Sequence, residues 1–327
     1  MNRGWNFLGL WLFGLMLWGA ASVPVALAET KEPKRLAYLV SDLRIPFWSI
    51  MAKGVRQKGL ELGYQVSLYS ADNSRRKELE NLAQAFKESV DGLIVSPTNS
   101  SACATILTLA QREGIPVVIA DIGTDKGEYL SYISSDNQGG AYAIGKALAA
   151  ELLDRGWGKG EVGVIAIPQK RANGQARTVG FLKAMEESQI TTVGISQQVD
   201  FSYEETYRFS KELIQTHPDL RALWLQGSNR YQAALDAIRD AGKQEEILLV
   251  TFDAEPEFLD LIRKGVLVGA AMQQPFHMGE EAVRVLDTHF SGKPVQRHLQ
   301  LPILAVFQDN LDQLTPLVRR NTLGLVP

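Results

Sequence analysis

Apolar and polar positions along the chain follow two alternating periods. Short runs that are apolar almost throughout read as strands. Longer stretches with apolar residues every three or four positions read as helices. Residues 36–40 (LAYLV) predict a buried strand, 47–62 a helix ended by Gly63, 65–69 a strand, 76–89 a helix, 93–95 a strand, 101–113 a helix and 117–120 a strand. After residues 129–134 the alternation restarts, with helices over 138–153, 175–188 and 204–216 and strands over 162–167, 192–199 and 222–225. It continues through helices at 231–241, 255–264 and 275–290 and strands at 247–252 and 266–272. Near-continuous apolar strands between amphipathic helices predict parallel sheets covered on both faces and linked by right-handed crossovers. The strands are too many for one open sheet. The predicted class is therefore α/β, with two doubly wound parallel-sheet lobes and a short hinge near residues 134–137.

Ligands of such sheets bind beyond the carboxyl ends of the strands. The segments at those ends are 41–48, 96–100, 121–124, 168–177, 200–203, 226–231, 253–256 and 273–276. They hold aromatics, carboxylates, an arginine and amides, the chemistry of a polar small-molecule cleft. Composition removes several alternatives. A formal net charge of −3 argues against a nucleic-acid partner, whose binding rests on neutralised phosphates. Cys103 is the one cysteine, so no intrachain disulfide is expected, and it reads as a small core residue. His217, His277, His289 and His298 are scattered without metal-ligand spacing, and no cofactor is expected. No nucleophile-elbow or phosphate-loop motif stands beside Asp121 or Asp253, so binding is a better reading than catalysis.

The N-terminus adds an address. Met1, Asn2 and Arg3 supply a positive start, residues 7–18 (FLGLWLFGLMLW) an apolar run, and residues 25–28 (VALA) a small-residue exit. That is the pattern of a cleaved signal peptide over residues 1–28, with the mature chain starting near Glu29 and working in the periplasm. Retention as a membrane anchor is the alternative, since residues 6–28 carry no charge.

Seven segments then fall in a telling order: YLVSDLRIPFWSIMAKG from Tyr38, GIPVVIAD ending at Asp121, SSDNQGG from Ser134, RTVGF from Arg177, HPDLRALW from His217, LVTFDAEP from Leu249 and AAMQQPFHMG from Ala270. On these the chain resembles the type I periplasmic binding proteins of the ribose/galactose-binding kind, from Lys34 to about Asp312. The resemblance implies two lobes joined by three hinge strands and closing on a ligand. It divides them as 34–137 with 274–303, and 138–273 with 304–322. It also implies a monomer that delivers a small solute, mostly a sugar, to a membrane ABC importer. The alternative partner is a sensor receptor, a histidine kinase or chemoreceptor.

The ligand positions it implies are Phe47, Trp48 and Asp121 in the first lobe, and Arg177, Phe201, Asp253 and Gln273 in the second lobe and hinge. Flat rings supply contact area at low entropic cost. Carboxylates accept from hydroxyls or pair with ammonium, and arginine offers a donor fork. Five of them also have a plainer reading: helix staple or core packing for the three aromatics, a helix or turn cap for Asp121, a surface ion pair for Arg177. An alanine at Arg177 is expected to weaken binding and leave the apo melting temperature nearly unchanged. Three positions depart from the sugar-binding pattern: Ile45 before Pro46, Ile122 after Asp121, and Gly227 where an asparagine is usual. Arg44, Ser228, Asn229 and Arg230 stand close enough in sequence to compensate. With hydroxyl-binding groups missing, a less hydroxylated, neutral or cationic ligand becomes an option.

Overall fold

The computed structural model describes residues 32–325; the expected signal segment lies outside them. Among the described residues the alternation closes into two six-stranded sheets. Strands β1 (Arg35–Val40), β2 (Gln65–Ser70), β3 (Gly92–Ser96), β4 (Val117–Ala120) and β5 (Ser131–Ser135) lie parallel in the order β2-β1-β3-β4-β5. Strands β6 (Glu161–Ala166), β7 (Thr191–Gln197), β8 (Leu220–Leu225), β9 (Leu248–Phe252) and β10 (Gly269–Met272) repeat it as β7-β6-β8-β9-β10. The burial follows from the order. Central β3, β4 and β9 are buried along their whole length, whereas edge strand β7 is largely exposed or half-buried. Apolar clusters fill both faces of each sheet.

The helices are α1 (Pro46–Glu61), α2 (Arg75–Lys87), α3 (Ser100–Arg112), α4 (Asn137–Asp154), α5 (Ala172–Glu187), α6 (Tyr203–Thr216), α7 (Tyr231–Asp240), α8 (Phe258–Arg263), α9 (Pro275–Phe290) and α10 (Leu311–Leu317). Their starts are chemically marked. Ser74, Asn99, Asp136 and Ser202 accept a backbone N–H of the first turn of α2, α3, α4 and α6, and proline opens α1 and α9. In each lobe one pair of helices crosses at glycine. A β-carbon at Gly54 of α1 would overlap the Phe276 carbonyl of α9, and one at Gly180 of α5 would overlap the Gln138 carbonyl of α4.

The chain crosses between sheets three times: from β5 into α4, from β10 into α9, which packs on α1 and the first sheet, and between β11 (His298–Leu301) and β12 (Leu304–Phe307). Strand β11 joins β5 in parallel, and β12 joins β10 antiparallel. The hydrophobic pattern does not announce these two strands, which are four residues each and divided by Pro302. Two other elements are shorter than the pattern predicts. Helix α8 begins at Phe258 because Phe258 N–H closes a turn on the Glu255 carbonyl, 3.0 Å away. Strand β10 begins only at Gly269, because Gly265, at φ +72°, first turns the chain out of α8.

After α10 a wide turn, Val318–Thr322, returns to the first lobe. Val318 and Leu323 bury in the second-lobe core. Arg320 meanwhile pairs with Glu280 of α9 at 2.9 Å, and the Asn321 amide donates to Gln274 at 2.7 Å.

Candidate functional site

The carboxyl ends of both sheets border one cleft of about 570 Å³. All seven residues singled out from the sequence line it, as do Ile45, Ile122, Gly227, Ser228, Asn229 and Arg230. Arg44 does not belong to the lining; Asp42 holds it through Nε at 2.8 Å and Nη2 at 2.6 Å.

The first-lobe wall is built on β1 and β4. Pro46 fixes the start of α1, and the next two residues set their rings edge to face, with centroids 4.9 Å apart. Trp48 is buried in the first-lobe core, while Phe47 is only half-buried against it. Asp121 leaves β4 in the left-handed backbone region, at φ +67°. Its N–H bonds the Ile133 carbonyl at 2.9 Å, and its own carbonyl accepts from the Tyr132 hydroxyl at 2.8 Å. Its backbone is thus fixed while its side chain, 8% exposed, receives no hydrogen bond from a described residue. Burial pushes its carboxyl up from 3.8 to about 6; Arg177 and Arg171 oppose the rise and Asp253 adds to it.

The second-lobe wall is a connected network. Arg177, on the second turn of α5, is 3% exposed and sets its Cζ over the Phe252 ring, 3.8 Å from the centroid. Its Nε donates to Asn137 at 2.8 Å and its Nη1 to the Gln226 carbonyl at 2.6 Å. Asp253 follows β9, again at φ +67°, and accepts from Arg177 at 3.5 Å and from Gln273 Nε2 at 2.5 Å. Ser228 donates to Glu255 at 2.8 Å. Burial raises the Glu255 carboxyl, opposed by the Ser228 bond, with Glu257 and Asp253 adding to the rise. The loop carrying Phe201 is pinned from below by Glu205, whose carboxylate accepts the N–H groups of Val199, Asp200 and Phe201. Arg230 holds the Phe201 carbonyl at 2.7 Å, and Arg171 lies over its ring at 5.6 Å.

Arg171 and Glu255 also line the cleft, and Asn137 and Gln226 hold Arg177 from behind it; the sequence reading does not select these four. Asn137 opens α4 within the SSDNQGG crossover, so its place at the hinge was visible and its bond to Arg177 was not. The chemistry of the whole is reversible recognition of a small polar molecule: aromatic area and carboxylates on both sides, with guanidinium groups from Arg75 on the first and from Arg171, Arg177 and Arg230 on the second.

Known proteins share this architecture. The ribose import binding protein of Bacillus subtilis is 29% identical over 276 residues, covering 84% of this chain and 87% of that protein. The D-allose-binding periplasmic protein of Escherichia coli is 24% identical over 306 residues, 90% of this chain and 94% of its own. A solved periplasmic solute-binding protein of an ABC transporter from Actinobacillus succinogenes, with bound D-allose, superposes with a TM-score of 0.79 at 20% identity, over 86% of this chain and 99% of that one. A substrate-binding protein of a sugar ABC transport system from Bordetella parapertussis does so with a TM-score of 0.80 at 20% identity, over 90% and 94%. The sequence profile described as the periplasmic binding protein domain matches residues 36–294, well over half of the chain, and the chain belongs to that family.

Proposed function

We propose that this protein is a solute-binding protein that closes on a sugar or sugar-like molecule and hands it to an ABC importer. The observation that carries this reading is the cleft itself, with a backbone-fixed aspartate at the end of a central strand on each side, Asp121 and Asp253. The relatives named for ribose and allose support it. Phe47, Trp48 and Asp121 hold the ligand from the first lobe, and Arg177, Phe201, Asp253 and Gln273 from the second. The moving units are residues 34–137 with 274–303, and 138–273 with 304–322. Ligand favours the closed form because it touches both units. The protein works as a monomer in the periplasm, exported by residues 1–28, and binds without catalysing a reaction. Isothermal titration against ribose, allose, galactose, glucose and related polyols tests the binding. Uptake of the titrated ligand by cells lacking the gene tests delivery. A folded protein that binds no member of the panel, or a deletion that leaves uptake intact, defeats the reading.

A further inference from the structure

The amide of Gln274 sits where the connections between the two sheets meet. Gln274 lies between β10 and α9 and is 3% exposed. Its Nε2 donates to the Pro302 carbonyl at 2.8 Å, in the link between β11 and β12. Its Oε1 accepts from Asn321 Nδ2 at 2.7 Å, in the turn that follows α10. Asn321 is buried in its turn, and its Oδ1 accepts from Arg320 Nη1 at 2.7 Å. Arg320 Nη2 then reaches the buried Glu280 of α9 at 2.9 Å.

One file of bonds thus joins two crossings of the chain, the C-terminal turn and α9. Val318 and Leu323 root that turn in the second-lobe core, while Met278 and Ala282 of α9 belong to the first-lobe core. The turn is therefore a fourth link between the lobes, beside the three crossings. Neither amide can turn over. Reversal of Gln274 would set donor against donor at Asn321 and acceptor against acceptor at Pro302, and reversal of Asn321 would do the same at Arg320 and Gln274. The residues next in the chain show what the file serves. Gln273 precedes Gln274, Thr322 follows Asn321, and both line the ligand cleft.

We infer that Gln274 and Asn321 are positioning residues of the cleft: their amide pair clasps the C-terminal turn to the hinge, and so sets the angle between the lobes and the stance of Gln273 and Thr322 in the cleft wall. The inference extends the solute-binding reading and rests on its hinge, not on the identity of the ligand.

The test is pulsed dipolar spectroscopy on the whole protein, freed of co-purified ligand by unfolding and refolding. Spin labels are carried by Lys126→Cys, between β4 and β5, and Glu204→Cys, early in α6, both exposed positions; Cys103 is buried and stays unlabelled. One separation should dominate in the otherwise unsubstituted protein. Asn321→Ala removes the clasp, and the ratio of all other separations to that one should rise about fivefold, the worth of one hydrogen bond of about 1 kcal/mol. Asn321→Asp should do the same with volume kept, since whichever way Gln274 then faces, one of its two bonds is lost. Asn310→Ala is the control. Asn310 bonds the Phe307 N–H at 2.8 Å and the Ala305 carbonyl at 2.9 Å, both on β12 of the second sheet. Its loss should lower the urea midpoint of unfolding and leave the separations unchanged. Unchanged separations in the Asn321 variants overturn the inference. So does equal broadening in Asn310→Ala, or a broad distribution before any of these substitutions. The solute-binding reading survives each of those results, because sugar titration decides it separately. Should one Asn321 variant fail to fold, the other decides; failure of both assigns the pair to the fold alone and overturns the inference as well.

Discussion

Asp121 and Asp253 occupy equivalent places in the two lobes and live in opposite surroundings. Each follows a central parallel strand, each sits at φ +67°, and each donates its N–H to the neighbouring strand at 2.9 Å, to Ile133 and Ala271 respectively. One scaffold has been used twice. Yet Asp253 is gripped by Arg177 and Gln273, while the Asp121 carboxylate is buried without a hydrogen bond from a described residue, acted on by Arg177 and Arg171 only through space. Backbone geometry alone therefore does not assign a role. The difference separates a carboxylate paired within the chain from one that no described residue pairs.

The largest test is Arg177→Ala. The sequence reading expects a loss of binding with apo stability preserved. The structure alters that expectation, because the guanidinium is buried, sits over Phe252 and joins Asn137, Gln226 and Asp253. Its removal orphans buried partners, which costs about 3 kcal/mol or more. Urea unfolding of the ligand-free variant should show that loss, together with at least about a tenfold fall in affinity. Unchanged stability would mean that the second wall is no more organised than the first.

The next test sets the two aspartates against each other. Asp253→Asn removes the charged partner of Arg177 and should lower apo stability by about 1–2 kcal/mol. Asp121→Asn should raise it by about 2–3 kcal/mol, because a buried carboxylate whose pKa moves up from 3.8 to about 6 destabilises the folded state when ionised. Effects of equal sign would erase the distinction between the walls. The pH dependence sharpens it. The folded carboxyl of Asp121 titrates at about 6 against 3.8 when exposed, so the folded state holds the proton more tightly. Its favourable contribution is complete below pH 4 and is lost as pH rises through 6. The stability gap between Asp121→Asn and the unsubstituted protein should thus be near zero at pH 4 and full at pH 7. A gap independent of pH would remove burial of the charge as its cause.

This contrast was half legible in the sequence. The positions were readable because strand ends are readable: VVIAD and LVTFD each place an aspartate directly after an apolar run, and the lining of the cleft follows. The surroundings were not, since the partners of Arg177 lie 40, 49 and 76 residues away along the chain. No local period encodes such a meeting, and an arginine early in an amphipathic helix reads equally well as a surface group. The same limit hid β11 and β12. Four-residue strands either side of a proline carry too few positions to establish a period, and their pairing with β5 and β10 is a property of the assembled sheets.

The smallest expected effect probes the aromatic edge of the first wall. Phe47 and Trp48 were indistinguishable in sequence, and burial separates them: Trp48 belongs to the core around Met51 and Val55, whereas Phe47 packs beside it and keeps part of its ring open to the cleft. Phe47→Ala should therefore weaken ligand binding by about 1 kcal/mol, roughly fivefold, and change apo stability by a similar amount or less. Trp48→Ala is the control, because deleting a buried tryptophan removes core contacts first and costs about 3 kcal/mol or more of stability. If Phe47→Ala matched that loss while leaving affinity unchanged, the ring would be a staple of α1. The first wall would then meet its ligand through Asp121 with no aromatic surface from Phe47.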